Sequence, residues 1–181
     1  MDVKKIKKIS IENKIPILRD KSADFIAKIL IEKNIDSILE IGSGMGYSSV
    51  FFLSRKPDLK IVSIEKDKDR WNFCSENIKN KNITFINECA FSFLTNQKYD
   101  CIFLDGPKSK QKELFEKYSE FLNEDGYIII DNIFLKFIKQ TRNSKLLLKK
   151  SEDFKLYLNE LTQWEVSIID IEDGIAICKR K

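Results

Sequence analysis

The sequence predicts an α/β fold: a mainly parallel sheet of seven strands, helices on both faces, and an antiparallel hairpin at the C-terminal end. Three observations carry this. From about residue 35, short apolar runs alternate with helical segments, the pattern of a parallel sheet. The runs are nearly continuously apolar, as expected for strands covered on both faces. After the fifth run the alternation stops, and two further apolar runs flank a turn at Glu172-Asp173-Gly174. No repeat and no Gly/Ser/Pro linker divides the 181 residues. One domain over 1–181 is therefore expected, with a helical extension over 1–34 and the core over 35–181.

The elements follow in order. In the first 34 residues Phe25, Ile26, Ile29 and Leu30 share one helix face, and Asp20 or Ser22 is the expected cap. Ile35–Ile41 is the first strand, and Tyr47–Ser54 the helix after it. Lys60–Glu65 is the second strand, followed by an amphipathic helix over Asp67–Lys79 whose first turn is acidic, which suits the positive end of the helix dipole. Ile83–Ile86 is the third strand, with a short helix expected over Phe91–Leu94. Tyr99–Leu104, a helix over Gln111–Leu122, and Tyr127–Ile130 give the fourth and fifth strands and their crossover. Phe134 to about Lys150 reads as a basic helical stretch and Ser151–Leu161 as a second helix. Trp164–Asp170 and Ile175–Cys178 form the hairpin.

Composition removes several chemistries. The chain has no histidine, which excludes Ser-His-Asp and Cys-His catalysis and His-ligated zinc or haem. Cys74, Cys89, Cys101 and Cys178 are widely spaced with no C-x-x-C, so reduced thiols are expected rather than a zinc or redox motif. No apolar run approaches the roughly 18 residues of a membrane span, so no membrane partner is expected. Met1-Asp2-Val3-Lys4-Lys5 leads into no apolar signal core, so a cytoplasmic location is expected. The net charge of +4 is only mildly basic, which makes the placement of the cations more informative than their sum.

The first strand runs into Glu40-Ile41-Gly42-Ser43-Gly44-Met45-Gly46-Tyr47-Ser48. Three glycines allow a sharp turn into the helix and a close approach of backbone to a ligand. The dinucleotide fingerprint requires a glycine where Tyr47 stands, and no Gly-Lys-Ser/Thr follows, so neither a Rossmann dinucleotide site nor a P-loop fits. The acid Glu40 just before the loop disfavours a phosphate and suits a cationic ligand.

E-x-G-x-G-x-G after a first strand resembles the class I S-adenosylmethionine-dependent methyltransferases, with their Rossmann-like methyltransferase fold. The resemblance implies S-adenosylmethionine as cofactor, its methionine part cradled by the backbone of Gly42, Ser43 and Gly44, with Glu40 and Ser48 in the same site. Glu65, at the end of the second strand, would accept hydrogen bonds from the ribose hydroxyls, with Lys66 beside it. Members often carry Gly-Asp-Ala after the third strand; here Glu88-Cys89-Ala90 leaves the adenine contact to the backbone of Cys89 and Ala90.

The fourth strand ends at Asp105-Gly106-Pro107-Lys108 and the fifth at Asp131-Asn132. Adjacent strands would bring Asp105, Asp131 and Asn132 to one rim beside the glycine loop, with Asp105 facing cofactor and metal alike. Two carboxylates and an amide oxygen suit Mg²⁺, Mn²⁺ or Ca²⁺ rather than zinc. The alternative for the two acids is helix capping. The D-x-x-K and D-N pairs resemble the metal-dependent O-methyltransferases related to the catechol and caffeoyl-coenzyme A enzymes. That resemblance implies a divalent ion on Asp105, Asp131 and Asn132 that acidifies the acceptor hydroxyl, with Asp105 and Lys108 as the catalytic pair and Lys108 assisting deprotonation. A homodimer is compatible with it.

Within the family, Lys14-Ile15-Pro16-Ile17, Glu40 to Ser49, Asp131-Asn132-Ile133-Phe134 and Asp173-Gly174-Ile175-Ala176-Ile177 are similar to small bacterial members, including those acting on 5-hydroxyuridine at the tRNA wobble position. Lys136, Lys139, Arg142, Lys145, Lys149 and Lys150 form an acid-free segment just after the rim, and Lys4, Lys5, Lys7 and Lys8 a second cluster. Such patches suit a phosphate backbone. The rival expectations are a small catechol-like phenol as acceptor, or a non-catalytic cofactor- or RNA-binding protein.

Overall fold

The computed structural model describes residues 1–137 and 141–181 of the chain. Its helices are α1 (Val3–Glu12), α2 (Asp20–Glu32), α3 (Tyr47–Arg55), α4 (Lys68–Asn77), α5 (Gln111–Ser119) and α6 (Arg142–Glu160). Its strands are β1 (Ser37–Ile41), β2 (Lys60–Glu65), β3 (Ile83–Asn87), β4 (Tyr99–Leu104), β5 (Leu122–Asp131), β6 (Trp164–Ile169) and β7 (Ile175–Arg180). They form one seven-stranded sheet in the order β3-β2-β1-β4-β5-β7-β6. The pairs from β3 through β5 are parallel, while β7 is antiparallel to β5 and to β6. The expected Rossmann-like sheet with its terminal hairpin is therefore present.

Double-sided burial explains the continuous apolar strands. Along β4, Cys101 and Phe103 enter the cluster formed with α1, α2, α3 and α4, whereas Ile102 and Leu104 enter the cluster formed with α5 and α6. The same alternation divides Ile129 from Ile128 and Ile130 in β5. The stretches Cys101–Leu104 and Ile128–Ile130 are buried throughout, so their pattern carries no polar beat. Among the described residues no helix is long and apolar enough to cross a membrane.

Three local expectations are corrected. Phe91–Leu94 is a turn, not a helix: the N–H groups of Ser92 and Phe93 both reach Cys89 O, and the chain then runs irregularly to β4. Four residues gain too few bonds to offset helix nucleation. The basic stretch and the following helix are one helix, α6, which starts at Arg142 rather than Phe134. Asn132 and Leu135 hold positive φ (59° and 52°), which stops helix growth directly after β5. Thr141 and Ser144 then close a capping box that starts α6. Lys139 lies outside the described residues.

The third correction concerns the N-terminal extension, which is two helices. Neither Asp20 nor Ser22 caps α2; Arg19 occupies that position without a side-chain cap bond. Asp20 instead pairs with Lys7 of α1, at 2.5 Å. The cap comes from far along the chain, since Glu172 in the hairpin turn accepts from the Ser22 N–H at 2.8 Å. Glu172→Ala should therefore cost about 1 kcal/mol of stability, as for loss of other N-terminal capping groups. Urea unfolding of the two proteins tests it, and equal midpoints would mean that solvent supplies the bond equally well.

Candidate active site

The order of the sheet reverses between β1 and β4, and open α/β sheets bind ligands at the carboxyl ends of strands at such a point. Here β1 ends in the glycine loop and β4 ends in Asp105. The two approach closely: a Cβ on Gly42 would lie 2.9 Å from the Asp105 carbonyl oxygen, and Gly42 holds φ +99°. Only glycine fits both demands. Gly46 also has positive φ (81°) where it opens α3. A cavity of about 440 Å³ opens above these strand ends, a size ordinary for a small-molecule site.

The structure brings most of the expected cofactor residues to this cavity. Gly42, Ser43, Gly44 and Ser48 line it from the loop, Glu65 and Lys66 from the end of β2, Cys89 and Ala90 from the segment after β3, and Asp105 from β4. Glu65 is 6% exposed and accepts from the Gly44 and Asp67 N–H groups, each at 2.9 Å. One carboxylate thus ties the glycine loop to the start of α4, and each oxygen retains a second lone pair. The buried Ser43 hydroxyl has no partner among the described residues.

Glu40 is placed differently from the expectation. It does not line the cavity but lies behind the loop, 1% exposed, accepting from the hydroxyls of Ser48, Ser49 and Ser63. Ser63 is its register neighbour on β2, and Ser48 and Ser49 belong to the first turn of α3. Burial pushes the Glu40 carboxyl above its ordinary range, the three hydroxyls oppose that, and Asp105 adds to it. The acid anchors the helix start from behind the loop.

The rim beside the cavity holds the second constellation. Lys108 Nζ donates to Asp105 Oδ1 at 2.8 Å and to the Asp131 backbone carbonyl at 3.3 Å. Asn132 Nδ2 donates to Asp131 Oδ2 at 2.5 Å. Asp131 is 2% exposed, and its Oδ1 is buried with no partner among the described residues. Burial pushes the Asp131 carboxyl up to about 7, and the Asp105 carboxylate pushes the same way against Lys108. Neither acid caps a helix through its side chain, because Lys108–Lys110 is a 3₁₀ turn without a side-chain cap and α6 is capped by Thr141.

Several neighbours were not foreseen. Ile15, Pro16, Ile17 and Leu18, between α1 and α2, form an apolar wall of the cavity, and Arg70 of α4 lies at its far side. The wall is held by Arg19, which reaches Asp173 at 3.6 Å and stacks 4.0 Å from the Phe137 ring centroid. These contacts join residues far apart in sequence, and no local pattern marks them.

Known proteins place this geometry in a family. The sequence model of the O-methyltransferase family matches residues 2–181. A Staphylococcus aureus structure described as a candidate caffeoyl-CoA O-methyltransferase has a TM-score of 0.91 and 26% identity, covering 100% of this chain and 93% of that one. The S-adenosylmethionine complex of TomG from Streptomyces achromogenes, an O-methyltransferase involved in tomaymycin synthesis, has a TM-score of 0.80 and shares the fold at 16% identity, covering 99% of this chain and 89% of that one. A Saccharolobus solfataricus protein named "Probable cobalt-precorrin-6B C(15)-methyltransferase (decarboxylating)" is 30% identical over 135 residues, 70% of this chain and 67% of that one. Since the family model and the S. aureus fold both run the length of the chain, this protein belongs to the S-adenosylmethionine-dependent O-methyltransferases of the caffeoyl-CoA type.

Proposed function

We propose that this enzyme methylates a hydroxyl on a planar ring, with a divalent cation at the Asp105, Asp131 and Asn132 rim, and that the acceptor is 5-hydroxyuridine at the wobble position of tRNA. The observation that carries the cation is the buried, unpartnered Asp131 Oδ1 beside a second carboxylate. A carboxyl that burial drives toward its protonated form gains most from a positive ligand. Among the described residues no three acidic or cysteine side chains cluster, so the donor set is two carboxylates and the Asn132 amide oxygen. All-oxygen donors suit Mg²⁺, Mn²⁺ or Ca²⁺. Bound there, the cation would lower the pKa of the acceptor hydroxyl. Lys108 stands at the same rim to take or hold the hydroxyl proton, and the apolar wall Ile15–Leu18 would keep water from the ring.

The cofactor would lie across the glycine loop, its methionine part against Gly42, Ser43 and Gly44 and its ribose on Glu65. Ser48, Lys66, Cys89 and Ala90 complete that wall. Glu65→Ala should weaken S-adenosylmethionine binding by about 1.5–3 kcal/mol, the scale for hydrogen bonds to a charged group. Calorimetry checks the affinity. An unchanged value would remove Glu65 from the site.

The tRNA reading is supported by exposed Lys145, Lys149 and Lys150 on α6. Lys150 shares a groove with Lys108, so the basic helix adjoins the rim. The α1 cluster contributes less, because Lys7 is paired with Asp20 and Lys8 with Glu12. Lys136 is likewise paired, with Asp170. The small-phenol reading is favoured by the apolar wall, and transfer of labelled methyl to bulk tRNA against catechol separates the two. Replacing Lys145, Lys149 and Lys150 with serine should weaken tRNA binding and lower its salt dependence by up to about three phosphate contacts. An equal salt slope for both proteins would favour the phenol.

A further inference from the structure

Gln111, the first residue of α5, is 3% exposed. Its Nε2 donates to the Asp131 backbone carbonyl at 3.3 Å, while its Oε1 is buried with no partner among the described residues. Turning the amide over would set Oε1 against the Asp131 carbonyl, acceptor against acceptor, so the idle atom is the acceptor. Lys108 donates to that same Asp131 carbonyl, also at 3.3 Å. The two side chains therefore meet on one oxygen, and the same Gln111 amide carries an idle acceptor.

Lys108 also holds Asp105, at 2.8 Å. An Asp105 carboxylate that turns to a cation must release this ammonium, which is then short of an acceptor in a place where its side chain is only 16% exposed. We propose that Gln111 is a positioning residue that receives Lys108: its Oε1 takes the hydrogen bond that Asp105 gives up, and Asp131 O keeps the ammonium at the rim throughout. No proton changes hands in this exchange, and the ammonium remains charged. The inference rests on the cation reading above. It explains why a buried carbonyl is left idle while Lys108 is on Asp105, a state that otherwise only costs free energy.

The test is Mn²⁺ binding, followed by electron paramagnetic resonance, to the full chain without acceptor. Four proteins are compared: wild type, Q111M, K108M and K108M/Q111M. Without Gln111 the ammonium stays on Asp105, so Q111M should bind Mn²⁺ about tenfold more weakly than wild type, the scale of one charge-assisted hydrogen bond. In K108M no ammonium needs a new place, so adding Q111M should change nothing. Thermal unfolding midpoints report that each variant retains its fold. A second measurement needs no Gln111 variant: the Gln111 side-chain amide NMR signal should shift when Mg²⁺ is added to wild type but not to K108M. Equal Mn²⁺ affinity of Q111M and wild type overturns the proposal, as does the same loss with and without Lys108, or an amide signal that ignores Mg²⁺. Failure of wild type and K108M alike to take up Mn²⁺ removes the cation reading itself, and the handover with it.

Discussion

Asp105→Ala should lower methyl transfer by about a thousandfold or more, which corresponds to about 4 kcal/mol of transition-state stabilisation. Among the described residues Asp105 is the rim carboxylate that also lines the cavity, which under the proposed function would set it between the acceptor and the methyl donor. Its side chain is 24% exposed and fixed by Lys108, and no backbone element depends on it. The substitution should therefore leave the thermal midpoint within a few degrees and S-adenosylmethionine affinity nearly unchanged. EDTA should inactivate the wild type to a similar degree, with Mg²⁺ restoring it. Full turnover in EDTA would overturn the cation reading and leave Lys108 as the principal base. Retained turnover in the variant would remove Asp105 from the chemistry.

The parts of this site that were legible in sequence are those fixed by strand ends. Gly42, Glu65, Asp105 and Asp131 each sit where an apolar run stops, and a parallel sheet brings such ends to one edge whatever the rest of the chain does. Lys108 follows Asp105 by three residues, so its pairing is local as well. Glu40 fails this logic because a strand residue faces one of two sides, and spacing alone does not reveal which. Its signal was present in Ser48, Ser49 and Ser63, three hydroxyls able to satisfy a buried acid. The apolar wall Ile15–Leu18 has no periodicity to read. Its position depends on Glu172 and Asp173 holding Ser22 and Arg19, more than a hundred residues away. Gln111 was invisible for a related reason: only the fold shows that its amide meets the end of β5.

Asp131 carries the other large expected effect, on stability. Its folded-state pKa is raised from 3.8 to about 7, first by burial and then by Asp105. A carboxyl that binds its proton more tightly folded than unfolded favours folding below its unfolded pKa, and that contribution is lost as pH rises through the folded value. Above pH 7, and with no divalent cation, the folded protein must hold a charged, buried carboxylate whose Oδ1 has no partner. Asp131→Asn keeps the shape without the charge. In EDTA at pH 8 the variant should be more stable than wild type by about 2–4 kcal/mol, at about 1.4 kcal/mol per pKa unit. The two should converge by about pH 3, below the unfolded value of 3.8, where the wild-type carboxyl is protonated in both states. Urea unfolding at both pH values measures the difference. Excess Mg²⁺ at pH 8 should raise the wild type and move the variant less, since a ligand stabilises only the state that binds it. A variant less stable than wild type by the same margin at both pH values would mean that Lys108 and solvent already hold the Asp131 charge in the folded protein, and the strongest reason for a cation at this rim would be gone.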